Sequence, residues 1–402
     1  MFRIARQPRL IAGAGTLDRL PELLREDGHR TVAVITGGRS IRGREEWAHL
    51  TERLLDEGFE FLDFTVRGEP TPELVDGMVE QIRVELPGCD AVVAIGGGSV
   101  MDAGKAVGAG VALSREAYGS GITRFLEGVG DIEHPGATLP MYAVPSTAGT
   151  GSEATKNAVL STTGPDGFKK SLRHDQFIPH TAIIDPTLHI GTPQAVTRAS
   201  GLDAITQLLE AYVSTAANPV TDALALQGLR LGGPALVRLL GGEDVSELRL
   251  NMALAAYLSG VCLANAGLGL VHGFASPVGA LREIPHGVVC GLLVGPVTAR
   301  TVELLQRSGD TDSLARYDAA AAAVLPGPGG GAGTVAAAEA ATPVPVQRLV
   351  DWFRRLAAPL GGLGDYGFRK DELSLLAAAS GMKNHPATMD AAVRESILEE
   401  VM

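Results

Sequence analysis

Residues 91–108 read AVVAIGGGSVMDAGKAVG, and this run constrains the chain more than any other. An apolar, β-branched stretch makes a buried strand, three glycines and Ser99 make a turn, and a helix carrying Asp102 and Lys105 follows. Glycines let a backbone approach an anion closely, and the free N–H groups at a helix start bind its oxygens. The pattern is neither GxGxxG nor GxxxxGK[ST]. Taken alone, it fits a phosphate-binding turn or simply a tight strand–helix connection.

The neighbouring segments widen the constraint. TVAVITGG (31–38), FEFLDF (59–64) and DAVVAIGGGS (90–99) read as strands, and EWAHLTERLLDEG (46–58) and TPELVDGMVEQIRVEL (71–86) as helices, the latter with Thr71 as N-cap. Strands alternating with helices give an α/β domain with a mostly parallel, Rossmann-like sheet. A second polar glycine run, AVPSTAGTGSEATKNAV (143–159), follows another short apolar stretch. It could line the opposite wall of a nucleotide cleft, or Thr150 or Ser152 with Glu153 could merely start a helix.

Past residue 185 the β-branched runs thin out and long helical patterns take over, which predicts an α/β domain over 1–185 and an all-α domain over 186–402. Residues 319–345 are rich in Ala, Gly and Pro and read as a flexible surface insertion. Between Leu250 and Leu281 there is no Lys, Arg, Asp or Glu, long enough to span a bilayer. Its asparagines, serines, glycines and His272 suit a buried helix and loop better than lipid.

With 402 residues and a net charge of −12, the chain has no basic face for nonspecific nucleic-acid binding. Cys89, Cys262 and Cys290 show no CxxC spacing, which points to a reducing compartment, and residues 1–15 lack a secretory h-region. A cytoplasmic protein that does not enter a membrane is the expectation.

Candidate metal ligands lie in the second half. In GLDAITQLLEAY (201–212), Asp203 and Gln207 share one helix face. In GLVHGFASPVGALREIPHGVV (269–289), His272 and His286 each precede a glycine. Imidazoles plus one carboxylate suit Zn²⁺ or Fe²⁺. Without an HExxH-type spacing, hydrogen-bonded core histidines fit the same residues. His29, His49, His174 and His189 read as surface residues.

GGGSVMDAGKA, PSTAGTGSE, DPTL, GLDAITQLLEAYVS and GLVHGFASPVGALREIPHG occur in this order. Together they resemble the iron-containing (group III) alcohol dehydrogenases, over most of the chain from about Arg9. The resemblance implies an N-terminal dinucleotide-binding domain, a helical domain, and between them a cleft where a hydride passes between a nicotinamide and a small alcohol or aldehyde. It assigns the pyrophosphate to Gly96, Gly97, Gly98 and Ser99. Asp102, Ser146, Thr147, Thr150 and, more loosely, Lys170 become cofactor contacts. Fe²⁺ or Zn²⁺ would sit on the catalytic residues Asp203, His272 and His286, and the chain would form a homodimer. Two family histidines are replaced here: Gln207 stands at the fourth ligand position, and Ser276 at a second cleft position. Many members carry an aspartate after the strand TVAVIT that accepts from the adenosine ribose. Here Gly37, Gly38, Arg39 and Ser40 occupy that turn, which favours NADP over NAD by charge. Around Phe274, Pro277 and Leu281 an apolar neighbourhood points to an uncharged substrate. The alternatives are a metal-independent reductase of the maleylacetate-reductase type and a non-catalytic NADP(H)-binding protein.

Overall fold

The computed structural model describes residues 1–164, 167–325 and 346–402. Its first part runs β1 (Arg9–Ala12), α1 (Leu20–Glu26), β2 (Thr31–Thr36), α2 (Arg39–Arg42), α3 (Glu45–Asp56), β3 (Glu60–Thr65), α4 (Pro72–Glu85) and β4 (Ala91–Gly96). It continues with α5 (Gly98–Val111), α6 (Arg115–Tyr118), β5 (Met141–Pro145), β6 (Asn157–Thr162), β7 (Phe168–Arg173) and β8 (Thr181–Ile184). Six strands form one sheet in the order β1-β8-β5-β4-β2-β3, and every pairing is parallel. All six residues of β4 are buried, because helices cover both faces of the sheet and leave no side for polar alternation. Thr71 Oγ1 accepts from Leu74 N at 3.2 Å, so the expected cap on α4 is present.

β6 and β7 form a separate antiparallel hairpin. Its even-numbered residues Ala158, Leu160 and Leu172 are buried in the core of the sheet layer. The odd-numbered Ser161, Lys169, Ser171 and Arg173 face the cleft described below.

From Gln194 onward the described elements are helical: α7 (Gln194–Tyr212), α8 (Pro219–Leu240), α9 (Ser246–Ala266), α10 (Leu270–Leu281), α11 (His286–Ser308) and α12 (Thr311–Val324). Then come α13 (Val346–Ala357), α14 (Leu373–Ala379) and α15 (Ala391–Glu400). Every residue of α7 from Gly201 to Tyr212 is buried, since α8, α9 and α11 pack around it. The charge-free stretch becomes α9 and α10, which meet at a 99° bend and bury most of their apolar residues in this core. α11 is also long and apolar enough to cross a membrane, but 78% of its apolar window is buried inside the protein.

The Ala-rich insertion needs one correction. Ala319–Val324 are the last turns of α12, and Tyr317, Ala320 and Ala321 pack into the core; residues 326–345 of that stretch lie outside the described part.

Candidate active site

The chain leaves β2 toward β3 on one side of the sheet and returns to place β4 on the other, so the strand order reverses between β2 and β4. Ligands of open α/β sheets bind at such a crevice, at the carboxyl ends of the strands. Here the two strand ends carry Gly37–Gly38 and Gly96–Gly97, with Gly37 N bonded to Ile95 O at 3.2 Å. The exposed Arg39 and Ser40 follow as the first residues of α2. Gly97 caps the fourteen-residue α5, whose first amides open toward the cleft.

The second glycine run lies directly against the first. Ser146 N donates to Gly96 O at 2.8 Å. A Cβ on Gly98 would sit 2.8 Å from Thr150 Oγ1, and one on Gly97 would be 3.3 Å from Thr147 Oγ1. At Gly98 a larger residue would force the two loops apart, and at Gly97 it would be a tight fit. Beneath them Lys105, fully buried, donates from Nζ to Ser152 Oγ (2.9 Å), Thr155 Oγ1 (2.8 Å) and Asn157 O (2.9 Å). Ser152 Oγ also donates to Asp102 Oδ1 at 2.6 Å. Lys105 therefore ties the helix behind the first loop to the second loop, a role that the sequence reading did not assign.

The cleft is about 1390 Å³, larger than the several hundred Å³ that one small ligand occupies. Gly97, Gly98, Ser99, Asp102, Thr147 and Thr150 line one part; Asp203, Gln207, His272, Ser276 and His286 line another. Three helices build the second part. Asp203 comes from α7, His272 from α10, and His286 from the first turn of α11. His272 Nε2 lies 3.2 Å and His286 Nε2 3.6 Å from Asp203 Oδ1. Cys290, one turn beyond His286, brings Sγ to 3.6 Å from His272 Nε2 and 3.7 Å from His286 Nε2. One donor atom from each of these four residues lies within 4.8 Å of every other.

The chemistry of this set fits a divalent cation. Burial pushes the Asp203 carboxyl up, but His286 and His272 beside it hold it at about 2. Glu210 Oε2 accepts from His272 Nδ1 at 2.7 Å, and its Oε1 accepts from Val271 N at 2.7 Å. That turns Nε2 toward Asp203. Although burial lowers the pKa of the His272 imidazole, Cys290, Asp203 and Glu210 raise it well above its usual value. A cation bound there would therefore displace the Nε2 proton, in the carboxylate–imidazole arrangement of metal sites. His286 Nδ1 is buried with no partner among the described residues. Burial pushes the Cys290 thiol up to about 12, so it keeps its proton until a cation offsets the cost of a buried thiolate. Replacing Glu210 with Gln should weaken metal binding about 10- to 100-fold. Competition against a chromophoric chelator measures this, with helix content unchanged.

Several residues stand apart from their expected places. Lys170 is exposed on the far face of β7, opposite Leu160, whereas Lys169 faces the cleft and pairs with Glu69. Alternation in a strand makes a one-residue slip an exchange of faces. Phe274 is fully buried in the helical core, so Ala275, Ser276 and Gly279 rather than that ring line the cleft wall. His189 is 2% exposed, which removes it from the surface histidines. Gln207 is buried, and its Oε1 accepts from Ser259 Oγ at 3.0 Å. Glu210, although inside GLDAITQLLEAY, and Cys290, just past the second quoted stretch, were assigned no role from the sequence. Their only signal in the sequence is spacing: Glu210 is seven residues after Asp203, and Cys290 four after His286.

A cleft with a helix N-terminus and glycine loops at one end and a cluster of potential cation ligands at the other suits a metal-assisted nicotinamide oxidoreductase. Comparison with known proteins narrows the class. Residues 7–186 match the iron-containing alcohol dehydrogenase family and residues 197–401 its C-terminal family. An NAD-dependent methanol dehydrogenase of Bacillus methanolicus is 33% identical over 329 residues, 79% of this chain and 82% of that protein. A 1,3-propanediol dehydrogenase of Citrobacter freundii is 35% identical over 268 residues, 64% of this chain and 66% of that protein. A crystal structure of a 1,3-propanediol oxidoreductase superposes with a TM-score of 0.80 at 26% identity, covering 100% of both chains. The chain belongs to the iron-containing alcohol dehydrogenase family, oxidoreductases that act on CH–OH groups.

Proposed function

We propose that this enzyme interconverts a small primary alcohol and its aldehyde with NADP(H), through a divalent ion held by Asp203, His272 and His286. The observation that carries the proposal is the convergence of these side chains, from three helices, on the cleft that the glycine loops enter. The turn at Gly96, Gly97, Gly98 and Ser99 binds the pyrophosphate through backbone N–H groups, and Asp102 follows on α5 as a further cofactor contact. Ser146, Thr147 and Thr150 belong to the second loop, whose Thr147 and Thr150 line the opposing wall. The donor cluster binds Fe²⁺ or Zn²⁺, and Gln207 flanks it. Bound there, the ion supplies a Lewis acid to the substrate oxygen and the nicotinamide supplies or takes the hydride. Ser276, exposed in the cleft, relays the hydroxyl proton from its Oγ to water. The small side chains of Ala275, Ser276 and Gly279 leave room for a short chain, in keeping with the alcohols in the relatives' names. The converging donors also favour this reading over a metal-independent reductase or a nucleotide sensor. The free cysteines fit a cytoplasmic setting, and a homodimer belongs to the same proposal.

The methanol dehydrogenase relative is an NAD-dependent enzyme by name. The preference for NADP(H) rests on this chain's own turn after β2, where glycines stand in place of a carboxylate and Arg39 is exposed beside them. A panel of short alcohols and aldehydes, run with NAD(H) and NADP(H) side by side in metal-loaded enzyme, tests both points. Arg39→Ala should lower kcat/KM for the phosphorylated cofactor roughly tenfold, the worth of one charge-assisted contact, and leave the other nearly unchanged. Turnover with neither cofactor on any panel member would remove the proposal.

A further inference from the structure

The family's fourth ligand position is Gln207 here, a neutral amide that is a poorer ligand than imidazole and is hydrogen-bonded to Ser259 Oγ at 3.0 Å. Cys290, by contrast, points its sulfur into the donor cluster. We propose that Cys290 is the fourth protein ligand, making an Asp–His–His–Cys centre that prefers Zn²⁺ to Fe²⁺. The inference rests on the metal site of the preceding section and adds the identity of the ligand and of the ion.

The distances carry it. Four ligands around one tetrahedral Zn²⁺, at about 2.0–2.1 Å for N and O and about 2.3 Å for S, lie about 3.3 Å apart for N and O and about 3.6 Å for S and N. The two N···O separations are 3.2 and 3.6 Å. The two S···N separations are 3.6 and 3.7 Å. The sulfur therefore stands at ligand spacing from both imidazoles, as a tetrahedron requires. The helix supplies the placement: His286 and Cys290 are one turn apart on α11, so their side chains share a face. The His286 side chain is 26% exposed while Asp203 and His272 are 2% and 5%, so the cluster meets the cleft on the His286 side, where a substrate oxygen can approach as a fifth ligand. A thiolate in place of an imidazole softens the donor set, which favours Zn²⁺ over Fe²⁺ beyond the intrinsic order of affinities.

Substitution of Co²⁺ into the whole enzyme reports the ligand without reference to turnover. Wild type should show a thiolate-to-cobalt charge-transfer band in the near ultraviolet together with the visible ligand-field bands. Cys290→Ser should lose the first and keep the second, with Zn²⁺ affinity at least tenfold lower. Gln207→Ala should keep both. X-ray absorption of the Zn²⁺-loaded wild type needs no variant and should show one sulfur at about 2.3 Å. Co²⁺ bound one to one with no charge-transfer band, or Zn²⁺ with only N and O neighbours, would overturn Cys290 as ligand and leave the metal site standing. Failure of wild type to bind either ion would overturn both. Tighter binding of Fe²⁺ than Zn²⁺ in direct competition would overturn the preference.

Discussion

Asp203→Ala is expected to lower kcat/KM on the order of 10³-fold and to leave the purified enzyme without its divalent ion. Asp203 is 1% exposed, and its Oδ1 lies within 3.2 Å and 3.6 Å of the two imidazoles. Removing it takes away the one carboxylate among the converging donors and the charge that offsets a buried cation. Loss of a Lewis acid forfeits several kcal/mol of barrier lowering, and about 4 kcal/mol corresponds to three orders of magnitude in rate. Cofactor binding should survive, because the glycine loops form the other part of the cleft. Steady-state kinetics, metal analysis and a fluorescence titration with reduced cofactor check the three parts separately. A variant that keeps both its metal and its turnover would show that the cluster is not the active centre.

The largest effect on stability is expected from Lys105→Met, about 3–5 kcal/mol, because it leaves buried carboxylates without their cation. The ammonium fills its three N–H groups with Ser152, Thr155 and Asn157. Burial pushes Lys105 down from 10.5 to about 8, although Asp102 and Glu153 pull the other way. Burial likewise pushes Glu153 up to about 7. The sign of the pH effect follows. Between pH 8 and 10.5 the unfolded chain holds the Lys105 proton and the folded one releases it, so this group's contribution to stability rises with pH across that window. Below it, the cost of burying the charge is present in full. Lys105→Met should lack this rise, in urea melts recorded at pH 7.5 and 10. It should also weaken cofactor binding, since the loop carrying Thr147 and Thr150 loses its tether to α5.

The strand–turn–helix at 91–108 was legible because a β-branched run and a glycine cluster are local signals, and the parallel sheet followed from repeated alternation. Asp203, His272 and His286, which the structure brings together, each lie in a motif visible in the sequence. What was hidden depends on contacts between distant segments. Lys169 and Lys170 are both plausible until the β6–β7 register, with Leu160 and Leu172 on the buried face, says which side meets the cleft. Glu210 sits on the part of α7 that is buried all round, Gly201 to Tyr212, where no apolar stripe marks the functional face. Cys290, inside GVVCGLLVG, looks like any small core hydrophobe. Only the approach of α7 and α10 to α11 brings its sulfur beside Asp203 and the two imidazoles.

Hydride chemistry in this enzyme is expected to depend on one divalent ion in the Asp203–His272–His286 cluster. The most direct test is to strip the protein with a chelator and titrate Zn²⁺ back while following cofactor-dependent oxidation of a short primary alcohol. The stripped enzyme should be inactive, with turnover that rises linearly as Zn²⁺ is added and saturates at one ion per chain. Full turnover by stripped protein whose metal content is confirmed to be nil would contradict this dependence.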